Sequence, residues 1–127
     1  MARSQGIPAR FAIGFPLPTA RGAGEIPGYH CWAELFVRNR GWVPVDSSEA
    51  AKARAAGDRS RQDYFFGHHD ENRLEFSRGR NLMLNPPQHS GPLNFFVYPL
   101  IEADGGKVDG VVTRFSFRDV TPDAPPE

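Results

Sequence analysis

The stretch from residue 28 to residue 55 constrains the fold of this chain more than any other. Tyr29–Val37 (YHCWAELFV) is aromatic-rich and partly alternating, the pattern of a half-buried strand. Asn39-Arg40-Gly41 supplies a turn, and Gly41–Val45 (GWVPV) reads as the returning strand of a hairpin. Pro44 has no amide proton to give a neighbour, so that strand belongs at an edge or a bulge. Asp46–Ala55 (DSSEAAKARA) follows at once; it is Ala-rich, and Asp46 and Glu49 are spaced as in a capping box. A hairpin that runs straight into a helix lacks the βαβ rhythm, so an α+β fold with an antiparallel sheet is expected.

The remainder is read more coarsely. Arg10–Phe15 is an alternating strand, and residues 16–28, rich in Pro and Gly, are expected to be a long loop. The polar stretch to Asn72 is expected to contain loop, including Phe65-Phe66-Gly67-His68-His69. Leu93–Ile101 and Val111–Phe117 read as two strands joined by the turn Asp104-Gly105-Gly106. At 127 residues there is room for one domain, expected over 1–120, with a disordered tail TPDAPPE over 121–127. The 13 Gly and 12 Pro predict many turns, while the 10 Phe, mostly clustered, argue against disorder.

Bulk charge excludes little but points away from some partners. The 15 basic and 15 acidic side chains cancel, which favours neither nucleic acid nor an anionic membrane as partner. No apolar run approaches the roughly 18 residues of a membrane span. The opening MARSQGIPAR lacks the apolar centre of a signal peptide, so a cytoplasmic location is the default expectation. The single cysteine, Cys31, excludes an internal disulfide.

Gly6-Ile7-Pro8 is a helix-stop signature, a Gly past the helix end followed by a Pro. Isolated helices need roughly 12–15 residues to be even marginal, so the helix that stops here is expected to begin upstream of residue 1.

His30 and Asp46 are the residues with chemistry in them. They lie near the open end of the expected hairpin, one on each strand. Direct opposition would bring their Cβ atoms to about 4.5–5.5 Å. A carboxylate beside an imidazole fixes its tautomer and stabilises the imidazolium, and the ring then needs a Cys or Ser on its other side to deprotonate.

The run His30-Cys31-Trp32-Ala33-Glu34 with Gly41-Trp42 and Asp46 resembles the core motif of the transglutaminase-like superfamily of cysteine enzymes. The usual pattern there is His-Ala-Trp, an acidic residue two places on, then Gly-Trp and a terminal Asp. Ala2–Arg10, with its Gly-Ile-Pro-Ala-Arg, resembles that family's segment just after the nucleophile helix, so the likeness covers residues 2–48. The resemblance implies a catalytic Cys at the N-terminus of that helix, roughly a dozen residues before the run, where a helix dipole favours thiolate. It also implies His30 as general base and Asp46 as orienting acid of a Cys-His-Asp triad, acting on a protein or peptide amide. No cofactor and no metal are implied. The departures are the absent nucleophile helix and Cys31 where the family has a small residue such as Ala. The chain is therefore expected to be an incomplete acyltransferase or amidase core, inactive by itself. The alternative is a non-catalytic interaction module that uses strand edges and the aromatic segment Asn94–Tyr98.

Neighbouring residues have plainer readings. Cys31 follows His30 on a strand, so its side chain faces away, and a small buried core residue is its expected role. Trp32 and Trp42 are expected to be core aromatics. His68-His69-Asp70-Glu71 matches no strong zinc spacing and reads as a solvated polar loop. Lys52, Arg54, Arg59 and Arg61, interrupted by Asp58 and Asp63, read as a solvated helix face.

Overall fold

Gly6 adopts φ 72°, and its amide donates to Arg3 O, closing a single 3-10 turn over Arg3–Gln5. The stop signature thus operates as read. The computed structural model describes residues 2–120, so the tail expected over 121–127 lies outside the described residues.

Four strands form the main sheet: β1 (Ala9–Pro16), β3 (His30–Val37), β4 (Gly41–Val45) and β5 (Arg73–Arg78), with β2 (Ala23–Ile26) lying elsewhere. Their order is β4-β3-β1-β5 and every pairing is antiparallel, which makes the molecule α+β. β4 lies at an edge, where the missing amide proton of Pro44 costs no ladder bond. α1 (Ser47–Ala55) follows, capped by Asp46. α2 (Arg59–Tyr64) carries Arg59 and Arg61, read above as part of a solvated helix face, but as a separate helix whose Asp58 cap accepts from the Arg61 amide at 2.9 Å.

Two other expectations are corrected. β2 breaks the expected loop and pairs with β8 (Phe115–Arg118), rather than β8 pairing with residues 93–101. The turn Asp104-Gly105, with φ 51° and 79°, closes only a two-residue hairpin of β6 (Glu102–Ala103) and β7 (Gly106–Lys107). Residues 93–101 form no strand beyond the isolated bridge Leu82↔Leu93. Their apolar side chains cover a sheet instead: Val97 packs with Ile13, Phe15 and Ile26 in the buried cluster, and Tyr98, Phe115 and Phe117 press on it.

Cross-strand partners share a face, so the register sorts the main sheet into two sides. Phe11, Ile13 and Phe15 of β1 share a face with Ala33 and Cys31 of β3, and the buried cluster sits on this side. Arg10, Ala12 and Gly14 share the other face with Glu34, Trp32 and His30. β5 enters beside Gly14 through a bulge between Ile13 and Gly14. A Cβ on Gly14 would lie 1.8 Å from the Leu74 carbonyl oxygen, so only glycine permits this approach. Arg73 and Arg78 of β5 are thereby brought onto the face that bears His30. Among the described residues no helix is long and apolar enough to cross a membrane.

Candidate active site

β3 begins at His30 and β4 ends at Val45, where the chain leaves the ladder to start α1. The β3–β4 register pairs Ala33 with Val45, so extending it sets Asp46 opposite Trp32 rather than opposite His30. Trp32 and His30 are two apart on one strand and share a face, which makes His30 and Asp46 diagonal neighbours. The side chains close the remaining gap: His30 Nε2 lies 2.5 Å from Asp46 Oδ2. Asp46 is fully buried, and the His30 side chain is 14% exposed.

The carboxylate serves the helix and the imidazole at once by dividing its oxygens. Oδ1 accepts from the Glu49 amide at 3.1 Å and from the Ser48 hydroxyl at 2.8 Å, while Oδ2 faces the ring. The Asp46 amide donates to Phe65 O at 2.9 Å, anchoring the carboxylate from its backbone side. Burial alone would push the Asp46 carboxyl up. The bonds from His30, the Glu49 amide and the Ser48 hydroxyl, with the imidazole's charge, overcome it and hold the group well below the ordinary carboxylate range. An ionised carboxylate only accepts, so His30 Nε2 carries a proton here and Nδ1 is the nitrogen left to take one.

The surroundings of the pair extend along the same face. Trp32 is buried and lies stacked beside His30, with ring centroids 6.4 Å apart. His69 meets the other part of Trp32 edge-on at 4.8 Å, so the segment read as a solvated loop is in part packed against β3. Burial pushes His69 below the ordinary imidazole range; the charge of Asp46 opposes this and that of Arg73 adds to it. Arg73 points into the same region, its Nη2 3.8 Å from Asp46 Oδ2. His69 Nε2, Asn72 Oδ1 and Arg73 Nε are buried without a hydrogen-bond partner. Further along, Glu34 is buried between two guanidinium groups, Arg10 Nε at 2.5 Å and Arg78 Nε at 3.2 Å. Arg10 thus ties the Gly-Ile-Pro-Ala-Arg segment to the His30 strand.

Three expectations change. Cys31 faces away from His30 as the strand geometry requires, but it is exposed, because the buried cluster takes its members from β1 and from covering segments and none from β3. Trp42 is 39% exposed on edge strand β4 and carries the Arg10 guanidinium over its ring at 4.0 Å, so it is not a core residue. Asn94–Tyr98 is partly committed to the core through Val97. Sequence reasoning missed Arg73 and His69 as neighbours of the pair; the only available signal was the alternation Arg73-Leu74-Glu75-Phe76, which marks a strand but not its partner.

Comparison with known proteins bears on the same stretch. Residues 1–47 match the family model described as the transglutaminase-like superfamily. A protein of Haemophilus influenzae, described as an uncharacterized protein, is 34% identical over 130 residues, which cover 83% of this chain and 35% of that relative. The chain therefore spans about a third of the length of the relative it matches. No solved structure matches it.

Proposed function

Since residues 1–47 belong to the transglutaminase-like superfamily, we propose that this chain is the base-and-acid half of a cysteine acyltransferase or amidase site. His30 is the general base and Asp46 the orienting acid. The bond between His30 Nε2 and Asp46 Oδ2, made inside a buried carboxylate's full set of hydrogen bonds, is the observation that carries the reading. With Nε2 engaged, Nδ1 takes the proton of a thiol, and the thiolate attacks an amide carbonyl of a protein or peptide. The imidazolium returns its proton to the departing nitrogen, leaving an acyl-thioester that an amine or water then resolves. Asp46 holds the ring in one tautomer throughout and stabilises its charged form without itself taking the proton.

The thiol comes from outside these 127 residues. Cys31 is the only cysteine in the sequence, and it lies on the opposite face of β3 from the ring it follows. Ser48 donates a hydrogen bond from its hydroxyl to Asp46, and is occupied as part of the helix start.

Amine incorporation and amide hydrolysis assays test this with two chains. One is the 127-residue chain; the other carries an added N-terminal helix with a Cys at its start. The short chain is expected to show no turnover, with Cys31→Ala changing nothing. The extended chain is expected to show turnover that His30→Ala lowers by about 10²–10⁴-fold, with Asp46→Ala costing less. Turnover by the short chain that disappears on Cys31→Ala would sink the assignment.

A further inference from the structure

Asp46 Oδ2 is approached by two groups that can carry positive charge: His30 Nε2 at 2.5 Å and Arg73 Nη2 at 3.8 Å. The guanidinium is always charged, whereas the imidazole is charged only when protonated. Arg73 reaches this oxygen from β5, across the width of β1, because the Ile13/Gly14 bulge and the bare Cα of Gly14 let β5 in. Its side chain is only 10% exposed, and it is steered by Asn72 O at 3.0 Å, Asp70 Oδ1 at 3.4 Å and Glu49 Oε1 at 4.0 Å.

A buried carboxylate whose sole cation is an imidazolium favours that imidazolium strongly, and a ring held protonated is a poor base. A permanent cation at the same oxygen removes that bias. We propose that Arg73 is a positioning residue that shares the charge of Asp46, so that His30 can both lose and accept a proton during acyl transfer. The inference rests on the function proposed for His30 and Asp46. Other charged or titratable groups face the pair: Glu49 from α1, His69 and Asp70 from the segment before β5, Glu34 on β3 with its partners Arg10 and Arg78, and Glu75 beyond Gly14. None of these is a fixed cation at Asp46 Oδ2, which is the role assigned to Arg73.

Ring signals of the four histidines in the ¹⁵N-labelled 127-residue chain, with His30 assigned by His30→Gln, read this out. Arg73→Met is expected to move the midpoint of the His30 ring titration to higher pH, because Asp46 then has the imidazolium as its remaining cation. Arg73→Lys, which keeps a charge, is expected to stay near the parent midpoint. A purely structural Arg73 gives the opposite sign: Asp46 loses its place, and the ring sheds its proton at lower pH. That result, or an unchanged midpoint, overturns the proposal. Should Arg73→Met fail to fold, Arg73→Gln carries the same expectation with a polar side chain in the site. Asp46→Asn separates the two layers of the argument. It is expected to move the midpoint to lower pH; if it does not, the His30–Asp46 reading fails, whereas if it does and Arg73→Met moves nothing, only the Arg73 inference fails.

Discussion

Ile13 and Phe15 lie on one side of β1, Ala12 and Gly14 on the other, and the two sides differ in how they hold the molecule together. On the first side, Ile13 and Phe15 are buried with Ile26 and Val97 under aromatic rings; the Phe15 ring centroid lies 4.6 Å from that of Phe115 and 4.8 Å from that of Phe76. On the second, Asp46 and Glu34 are buried as charges and Arg73 is largely enclosed, each beside opposite charge. Apolar burial is non-directional and gains with area, so the first side tolerates small shifts of register or rotamer. Buried charge gains little net stability, because desolvation offsets the attraction; loss of Asp46 leaves Arg73 with Asp70 and Glu49, and His30 free to become neutral. The second side therefore supplies geometric specificity, and the first supplies most of the stability.

Substitutions chosen from each side sharpen that contrast. The largest loss of stability is expected from Phe15→Ala, about 3–5 kcal/mol in denaturant melts, since it removes a fully buried ring from the apolar cluster and opens a cavity there. A smaller loss, about 1–3 kcal/mol, is expected from Asp46→Ala, which removes a helix cap and leaves the bonds from His30 and Ser48 unmade. Asp46→Asn keeps the cap and is expected to recover part of that loss. If Asp46→Ala cost as much as Phe15→Ala, the polar side would be as structural as the apolar one, and the contrast would break.

The smallest expected effect is on pH dependence. His69 titrates below its ordinary value of 6.5 because burial disfavours its charged form. The unfolded chain then binds the proton first, so stability is full above 6.5 and falls as pH drops from there through the folded-state value. His69→Phe should flatten this slope in melts taken across mildly acidic pH. Asp46 adds none of it there: its carboxyl is ionised in both states above its ordinary value of 3.8, and its contribution disappears only at strongly acid pH. A slope unchanged in His69→Phe would place the acid-sensitive group elsewhere.

Local patterns made much of this readable. The strand runs at β1, β3 and β4, the edge position of Pro44, the stop at Gly6 and the cap at Asp46 each depend on residues close in sequence, where propensity and turn chemistry act directly. The approach of His30 and Asp46 belongs in part to this class, because a tight hairpin brings its two open ends together, but the register sets that they share a face. β2, and the separateness of α2 from α1, were hidden because neither segment carries an apolar stripe or a long alternating run. β5 alternates, yet Leu74 and Phe76 are each 47% exposed, so its pattern says nothing about which strand it joins.

By itself, then, the sequence determined a hairpin leading into a capped helix, with an imidazole and a carboxylate at its open end. Only the tertiary structure decided which ring nitrogen meets which carboxylate oxygen, that Cys31 is open to solvent, and that Arg73 shares the oxygen with His30. The reason is physical: hairpin geometry is set by a turn of a few residues, whereas Arg73 reaches Asp46 through a bulge, a missing Cβ at Gly14 and a pairing between distant strands. Those depend on long-range contacts whose partners no local pattern specifies.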